Sequence, residues 1–184
     1  DLDPRPAHNL FKMIETITTI IGITLIVVSL LLIFLMFVPW SFGAPFQPSS
    51  KKETLNIIKL VNIKKGDKIA ELGCGNGTLV IALAKKGAIV QGYEINPLLV
   101  WWANKRIKKE GLEKKAKISQ ANFWEINLRK YNKIVIFQVS YVMKKLGRKL
   151  DKESKKGTKV ISNTWKFPKR KYLKKLGHVY LYKF

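Results

Sequence analysis

Residues Ile69–Leu79 read I-A-E-L-G-C-G-N-G-T-L. A short apolar strand ends in an acid, Glu71, and enters a glycine loop at once, Gly73-Cys74-Gly75-Asn76-Gly77. An apolar helical pattern then runs from Leu79 to Lys86. Glycine lets the backbone turn sharply and approach a ligand closely, and a helix start presents unpaired N–H groups. A second strand pattern, Ala88 to Glu94, follows and ends in another acid 17 residues after Gly77. Strand, acid, loop, helix, strand and acid in this order form a nucleoside-binding unit, and a carboxylate at the second position accepts the two ribose hydroxyls.

The loop is not the dinucleotide pattern G-x-G-x-x-G, which cradles a pyrophosphate. Its spacing is G-x-G-x-G, Thr78 stands where a third dinucleotide glycine belongs, and Glu71 suits an ammonium group better than a phosphate. The signature resembles the first motif of class I methyltransferases, E/D-x-G-x-G-x-G. That resemblance implies S-adenosylmethionine as cofactor, with Glu71, Gly73, Cys74, Gly75, Asn76, Gly77 and Glu94 around it, followed by Ile95 and Asn96. Cys74 is the single cysteine of the chain. It reads as a small loop residue in a reducing compartment rather than as a nucleophile.

A chain of 184 residues has room for one modest domain and an appendage. Thr16 to Ser50 contains no charge, and Ile17–Val38 is almost wholly apolar. As a helix that segment is about 33 Å long, enough to cross a bilayer core. A cleaved signal peptide is the rival reading, but its apolar region would be shorter, and Pro45 follows the small-residue site Gly43-Ala44. A buried core helix is the third reading, and a helix apolar on every face is hard to bury in so small a protein. The expected organisation is residues 1–16 as an N-terminal extracytoplasmic segment, 17–38 as a transmembrane helix, 39–50 as a proline and aromatic linker, and 51–184 as the methyltransferase domain. Residues 1–50 hold Asp1, Asp3 and Glu15 against Arg5 and Lys12, net −1, so with +23 on the whole chain the remainder carries +24. Lysines concentrated after the span place the large domain in the cytoplasm of a single-pass membrane protein.

Only five of the 35 basic residues are arginine, and the lysines are scattered along the domain. Nucleic-acid readers lean on arginine forks, so attraction to an anionic bilayer accounts for the excess more simply than a nucleic-acid partner does. His8 and His178 stand at opposite ends with no metal-ligand spacing, and no metal is expected.

Ser49 or Ser50 can cap a helix from Lys51 to about Val61. Strands are expected at Lys68–Leu72, at Ala88–Glu94, at Ala116–Ala121, at Lys133–Phe137 and at Lys159–Asn163, with helices from Pro97 to about Glu110 and from Val142 to Leu150. Val179–Tyr182 reads as an edge strand. The result is a doubly wound α/β sheet, Rossmann-like, preceded by one transmembrane helix. Only one strand candidate follows Asn163, so the sheet is expected to be shortened at its C-terminal edge.

Gly92-Tyr93-Glu94-Ile95-Asn96-Pro97-Leu98-Leu99-Val100 is similar to the G-Y-E-x-N-P-x-L-V pattern of the single-span protein-lysine methyltransferases that modify the ATP synthase c subunit and the adenine nucleotide translocase, and of their prokaryotic relatives. Pro45-Phe46-Gln47-Pro48-Ser49 looks like the proline element of that family. The resemblance implies an integral membrane protein as substrate, methylated on a lysine near the bilayer surface. Where the family shows Asp-Leu-Trp after the third strand, this chain has Asn122-Phe123-Trp124, and an asparagine carbonyl can also accept from the adenine amino group. Lysine must lose its proton before attack, and an apolar aromatic channel lowers its pKa. Phe46, Tyr141 and Trp165 are the channel candidates, each with the alternative of simply packing. Rival functions are a lipid or small-molecule methyltransferase at the membrane, an rRNA or tRNA methyltransferase, and a non-catalytic cofactor-binding module.

Overall fold

The computed structural model describes residues 5–42 and 50–184. It divides into two units, residues 1–41 and 42–184. The first contributes one helix, α1 (Arg5–Phe42), longer at both ends than the expected span. Its stretch Leu10–Phe34, 25 residues of mean hydropathy 2.8 and unburied, is long and apolar enough to cross a membrane. The hydroxyls of Thr16, Thr19 and Thr24 donate to carbonyls one turn back, so they cost the apolar surface little. Phe46 and most of the expected linker lie outside the described residues.

The second unit opens with α2 (Lys51–Val61), capped by Ser50. The Ser50 hydroxyl accepts from Glu53 N, and the Glu53 carboxylate accepts from Ser50 N, a reciprocal capping box. Ile57, Leu60 and Val61 bury one face of α2, each stabilising the fold by about 1.5–3 kcal/mol relative to exposure. The remaining elements are β1 (Lys68–Leu72), α3 (Thr78–Lys85), β2 (Ile89–Glu94), α4 (Pro97–Lys109), β3 (Ala116–Gln120), β4 (Lys133–Ile136), α5 (Met143–Glu153), β5 (Lys159–Asn163), β6 (Lys174–Leu176) and β7 (Val179–Lys183).

These strands form one seven-stranded sheet in the order β3-β2-β1-β4-β5-β7-β6. The first five are parallel, and β7 runs antiparallel between β5 and β6. Two expectations are corrected here. The sheet lacks no strand at its C-terminal edge, and β7 is an inner strand. The missed element, β6, is three residues long and reads Lys-Lys-Leu, too short and too polar to show a strand period. What is short is the β5–β6 connection, which contains no helix.

The inner strands are buried on both faces, which is why β4 reads as K-I-V-I with no alternation. One face packs Ile69, Val90, Val135 and Ile161 against α2, α3 and α4. The other packs Leu72, Ile134, Ile136 and Val160 against Met143, Leu146 and Leu150 of α5 and against Phe123, Leu128 and Tyr131. At the N-terminal end of the sheet, Lys133 and Asp67 form a buried ion pair. Lys133 Nζ also donates to Asn62 O at 2.8 Å, and Asn132 Nδ2 donates to Asp67 Oδ1 at 2.8 Å, so neither charge is left bare.

Candidate cofactor site at the C-terminal ends of the strands

Parallel strands expose their last carbonyls and the following turns at one rim, where ligands of doubly wound sheets bind. Here the turn after β1 carries the glycine loop. Gly73, Gly75 and Gly77 all have positive φ, at 72°, 53° and 72°, so the run of glycines answers a backbone demand. The loop is tied to the end of β2: Gly73 N and Cys74 N both donate to Tyr93 O, at 2.8 and 3.0 Å. A side chain at Gly77 would collide with Ile118 Cδ1 at 2.6 Å and Ala103 Cβ at 3.1 Å. The loop is thus wedged against β3 and α4.

Two carboxylates flank this loop. Glu94 Oε2 accepts from Gly75 N at 2.9 Å, while Oε1 accepts from Ile95 N and Asn96 N at 2.9 and 3.0 Å. Asn96 then caps α4 through Leu98 N. Glu71 is buried, and its Oε2 has no hydrogen-bond partner. Burial, reinforced by the negative charge of Glu94, pushes the Glu71 carboxyl well above the usual carboxylate range. Burial and the same two acids push the Cys74 thiol up as well, so Cys74 is a neutral packing group here. A buried acid with one oxygen unpartnered, beside a second acid, suits a ligand that brings a cationic group to Glu71.

The remaining candidates are less gathered. Asn122 closes a turn, its Oδ1 accepting from Trp124 N at 3.2 Å and its Nδ2 donating to Glu125 at 3.0 Å. Phe123 is buried and packs at a tilt against Trp124, with ring centroids 4.8 Å apart. Tyr141 and Trp165 follow β4 and β5 at the same rim and are 71% and 40% exposed among the described residues.

Two residues with structural roles at the loop escape a reading by motif. Arg106, on α4, donates from Nη1 to Asn76 O at 2.7 Å and to Thr78 Oγ1 at 3.1 Å, fastening the loop from the side. Gln138, just past β4, donates from Nε2 to Leu72 O at 3.0 Å and leaves its buried Oε1 unpartnered. The first lies in a run of basic residues and the second in a stretch without a motif; only the tertiary fold brings them to the loop.

Sheet order, glycine loop and paired acids together define a class I methyltransferase fold. The RNA methyltransferase of Salinibacter ruber, solved with S-adenosyl-L-homocysteine, superposes with a TM-score of 0.72 at 25% identity, covering 74% of this chain and 93% of that one. A family model, the ANTKMT methyltransferase domain, matches residues 71–174. The ATP synthase C-subunit lysine N-methyltransferase of Homo sapiens is 36% identical over 124 residues, 67% of this chain and 53% of that protein. A protein-lysine N-methyltransferase of Saccharolobus islandicus is 31% identical over 121 residues, 65% of this chain and 75% of its own length. The chain belongs to the ANTKMT methyltransferase domain family. It spans about half the length of the human relative.

Proposed function

We propose that this chain is an S-adenosylmethionine-dependent protein-lysine N-methyltransferase, held to a membrane by α1 with its catalytic domain in the cytoplasm, and acting on lysines of integral membrane proteins. The observation that carries the cofactor reading is the unpartnered buried carboxylate oxygen of Glu71 beside Glu94 and the glycine loop. The protein-lysine specificity draws on the named activities of the human and Saccharolobus islandicus relatives. The membrane reading draws on the unburied apolar stretch Leu10–Phe34.

In this reading Glu71 takes the cofactor's ammonium group, and the backbone of Gly73, Cys74, Gly75, Asn76 and Gly77 lies along its amino-acid and ribose parts. Glu94 accepts the ribose hydroxyls, Ile95 and Asn96 continue that wall, and Asn122, Phe123 and Trp124 border the adenine. The bound cofactor supplies an already activated methyl group. The protein therefore has to present a neutral amine in line with it, and positioning accounts for most of the rate. Tyr141 and Trp165, with Phe46 from the proline element, are the groups we assign to the amine channel. Apolar surroundings lower the amine pKa, and ring faces stabilise its cationic product.

The test is incubation of the full chain with membranes and cofactor carrying a labelled methyl group. Label is expected in protease-sensitive, nuclease-resistant material and to vanish when the target lysine is replaced by arginine. Label lost to nuclease, or recovered wholly in the lipid extract, would overturn the substrate reading in favour of RNA or lipid. Failure of the chain to bind S-adenosylhomocysteine would overturn the cofactor reading itself.

A further inference from the structure

α4 buries Ala103 and Ile107 and turns its opposite face to solvent. That outer face carries Leu98, Trp101 and Trp102, which are 62%, 60% and 51% exposed. Positions 98, 101 and 102 are one turn apart and lie on the same side of the helix. Scattered exposed apolar side chains need no explanation, but three large ones on a single turn form a patch. Further along, the same face changes character: Lys105, Lys108 and Lys109 are exposed, and α4 holds no acidic residue. Lys105 Nζ lies 3.9 Å from the centre of the Trp101 ring, joining the two halves.

We infer that this face of α4 docks on the surface of an anionic lipid bilayer, with Trp101, Trp102 and Leu98 at the headgroup boundary and Lys105, Lys108 and Lys109 against lipid phosphates. Indole rings favour the membrane–water interface because they are apolar with one polar edge, and lysines beside them gain from a negative surface. Charge complementarity extends beyond the helix, since residues 51–184 carry net +24. A nucleic-acid partner fits less well. The arginine of this helix, Arg106, which could read a base or grip a phosphate with two bonds, is spent inward on Asn76 and Thr78. What remains outside are flexible lysine charges, two indole rings and an aliphatic side chain, a set suited to a diffuse charged interface with an apolar layer beneath it. The inference concerns α4 alone and does not depend on α1 crossing the bilayer or on any methyl transfer. Because α4 begins directly after Glu94, docking would bring the rim with the glycine loop to the membrane surface.

The full chain is reconstituted in vesicles of phosphatidylcholine alone, or of phosphatidylcholine with phosphatidylglycerol, with brominated acyl chains as quencher. The parent is compared with the Trp101→Gln/Trp102→Gln variant, which loses only exposed rings, and equal circular dichroism spectra check that both are folded. The three other tryptophans of the chain's five then cancel in the difference. The expected result is a bromolipid-quenched component present in the parent, absent from the variant and seen only with the anionic lipid. It should be lost in about 1 M salt, where the screening length falls to about 3 Å. A Lys105→Glu/Lys108→Glu/Lys109→Glu variant should lose it too. Equal quenching in parent and variant, or equal quenching with and without phosphatidylglycerol, would overturn the inference. Quenching of the same two rings by a single-stranded RNA oligomer, with none from lipid, would overturn it in favour of nucleic acid.

Discussion

Glu94 reaches back from the end of β2 to the glycine loop after β1, its Oε2 accepting a 2.9 Å hydrogen bond from the backbone N–H of Gly75. One carboxylate thereby ties the loop to the end of β2, and in the proposed function it is also the acceptor for the ribose hydroxyls. Its other oxygen is shared between Ile95 N and Asn96 N, which orients the start of α4. Glu94→Ala should therefore remove a diol acceptor and loosen the loop together. Hydrogen bonds to a charged group contribute about 1.5–3 kcal/mol, so S-adenosylhomocysteine affinity should fall by about 10- to 100-fold. Titration calorimetry decides this, and an unchanged Kd would remove Glu94 from the site.

Glu71 supplies a pH signature. Its carboxyl is held above the ordinary value of 4.5 by burial and by Glu94, so the ligand-free fold keeps it protonated where an unfolded chain would not. Its contribution to stability is then fully present below the unfolded value and lost as pH rises through the folded one. A cationic group delivered beside it favours the charged form. Binding should release a proton, and affinity should rise with pH across the window between the ligand-bound and the ligand-free value of Glu71. Calorimetry in buffers of different ionisation enthalpy measures that proton. Glu71→Gln should abolish the release, and proton uptake on binding would contradict the pairing.

The buried pair of Lys133 and Asp67 predicts a stability effect remote from the rim. Burial alone would raise the Asp67 carboxyl, but hydrogen bonds from Lys133, the Lys64 backbone and Asn132, together with the Lys133 charge, hold it below 3.8. This contribution is present above the unfolded value and lost as pH falls through the folded one. Lys133→Met removes the cation and leaves a buried acid uncompensated, a loss of about 3–5 kcal/mol near neutral pH. The penalty should shrink in acid, where Asp67 takes up a proton. Denaturant titrations of both proteins across pH test it, and a penalty independent of pH would mean that the lost packing, not the charge, matters.

How much of this was legible in the sequence depended on whether a local pattern carried it. Ser50 with Glu53, the Gly73–Gly77 loop, Asn96 with Pro97, and the apolar run of β4 each announce themselves within a few residues, and the corresponding elements begin or end within a residue or two of expectation. β6 was hidden because its three residues form a strand only by pairing with β7, as Leu176 faces Val179. Arg106 and Gln138 were hidden for the same reason, since their contacts to the loop join residues 30 and 66 positions apart. The exposure of Tyr141 and Trp165 could not be read either, because an aromatic after a strand looks the same whether the next turn covers it or not.

The last prediction concerns Gly73 and Gln138. A methyl group on Gly73 would collide with Gln138 Nε2, and φ at Gly73 is +72°. The amide is the far end of a side chain and can swing away, but only by giving up its 3.0 Å bond to Leu72 O. Gly73→Ala should thus cost about 1–2 kcal/mol for the left-handed backbone and about 1–3 kcal/mol for the unpaired Leu72 carbonyl. Gln138→Ala leaves the same carbonyl unpaired and no clash. In the double variant that loss is counted once, so the combined destabilisation should fall short of the sum of the singles by about 1 kcal/mol or more. Urea unfolding of the four proteins measures the coupling. Additivity within about 0.5 kcal/mol would mean that Gln138 does not rest against the glycine loop.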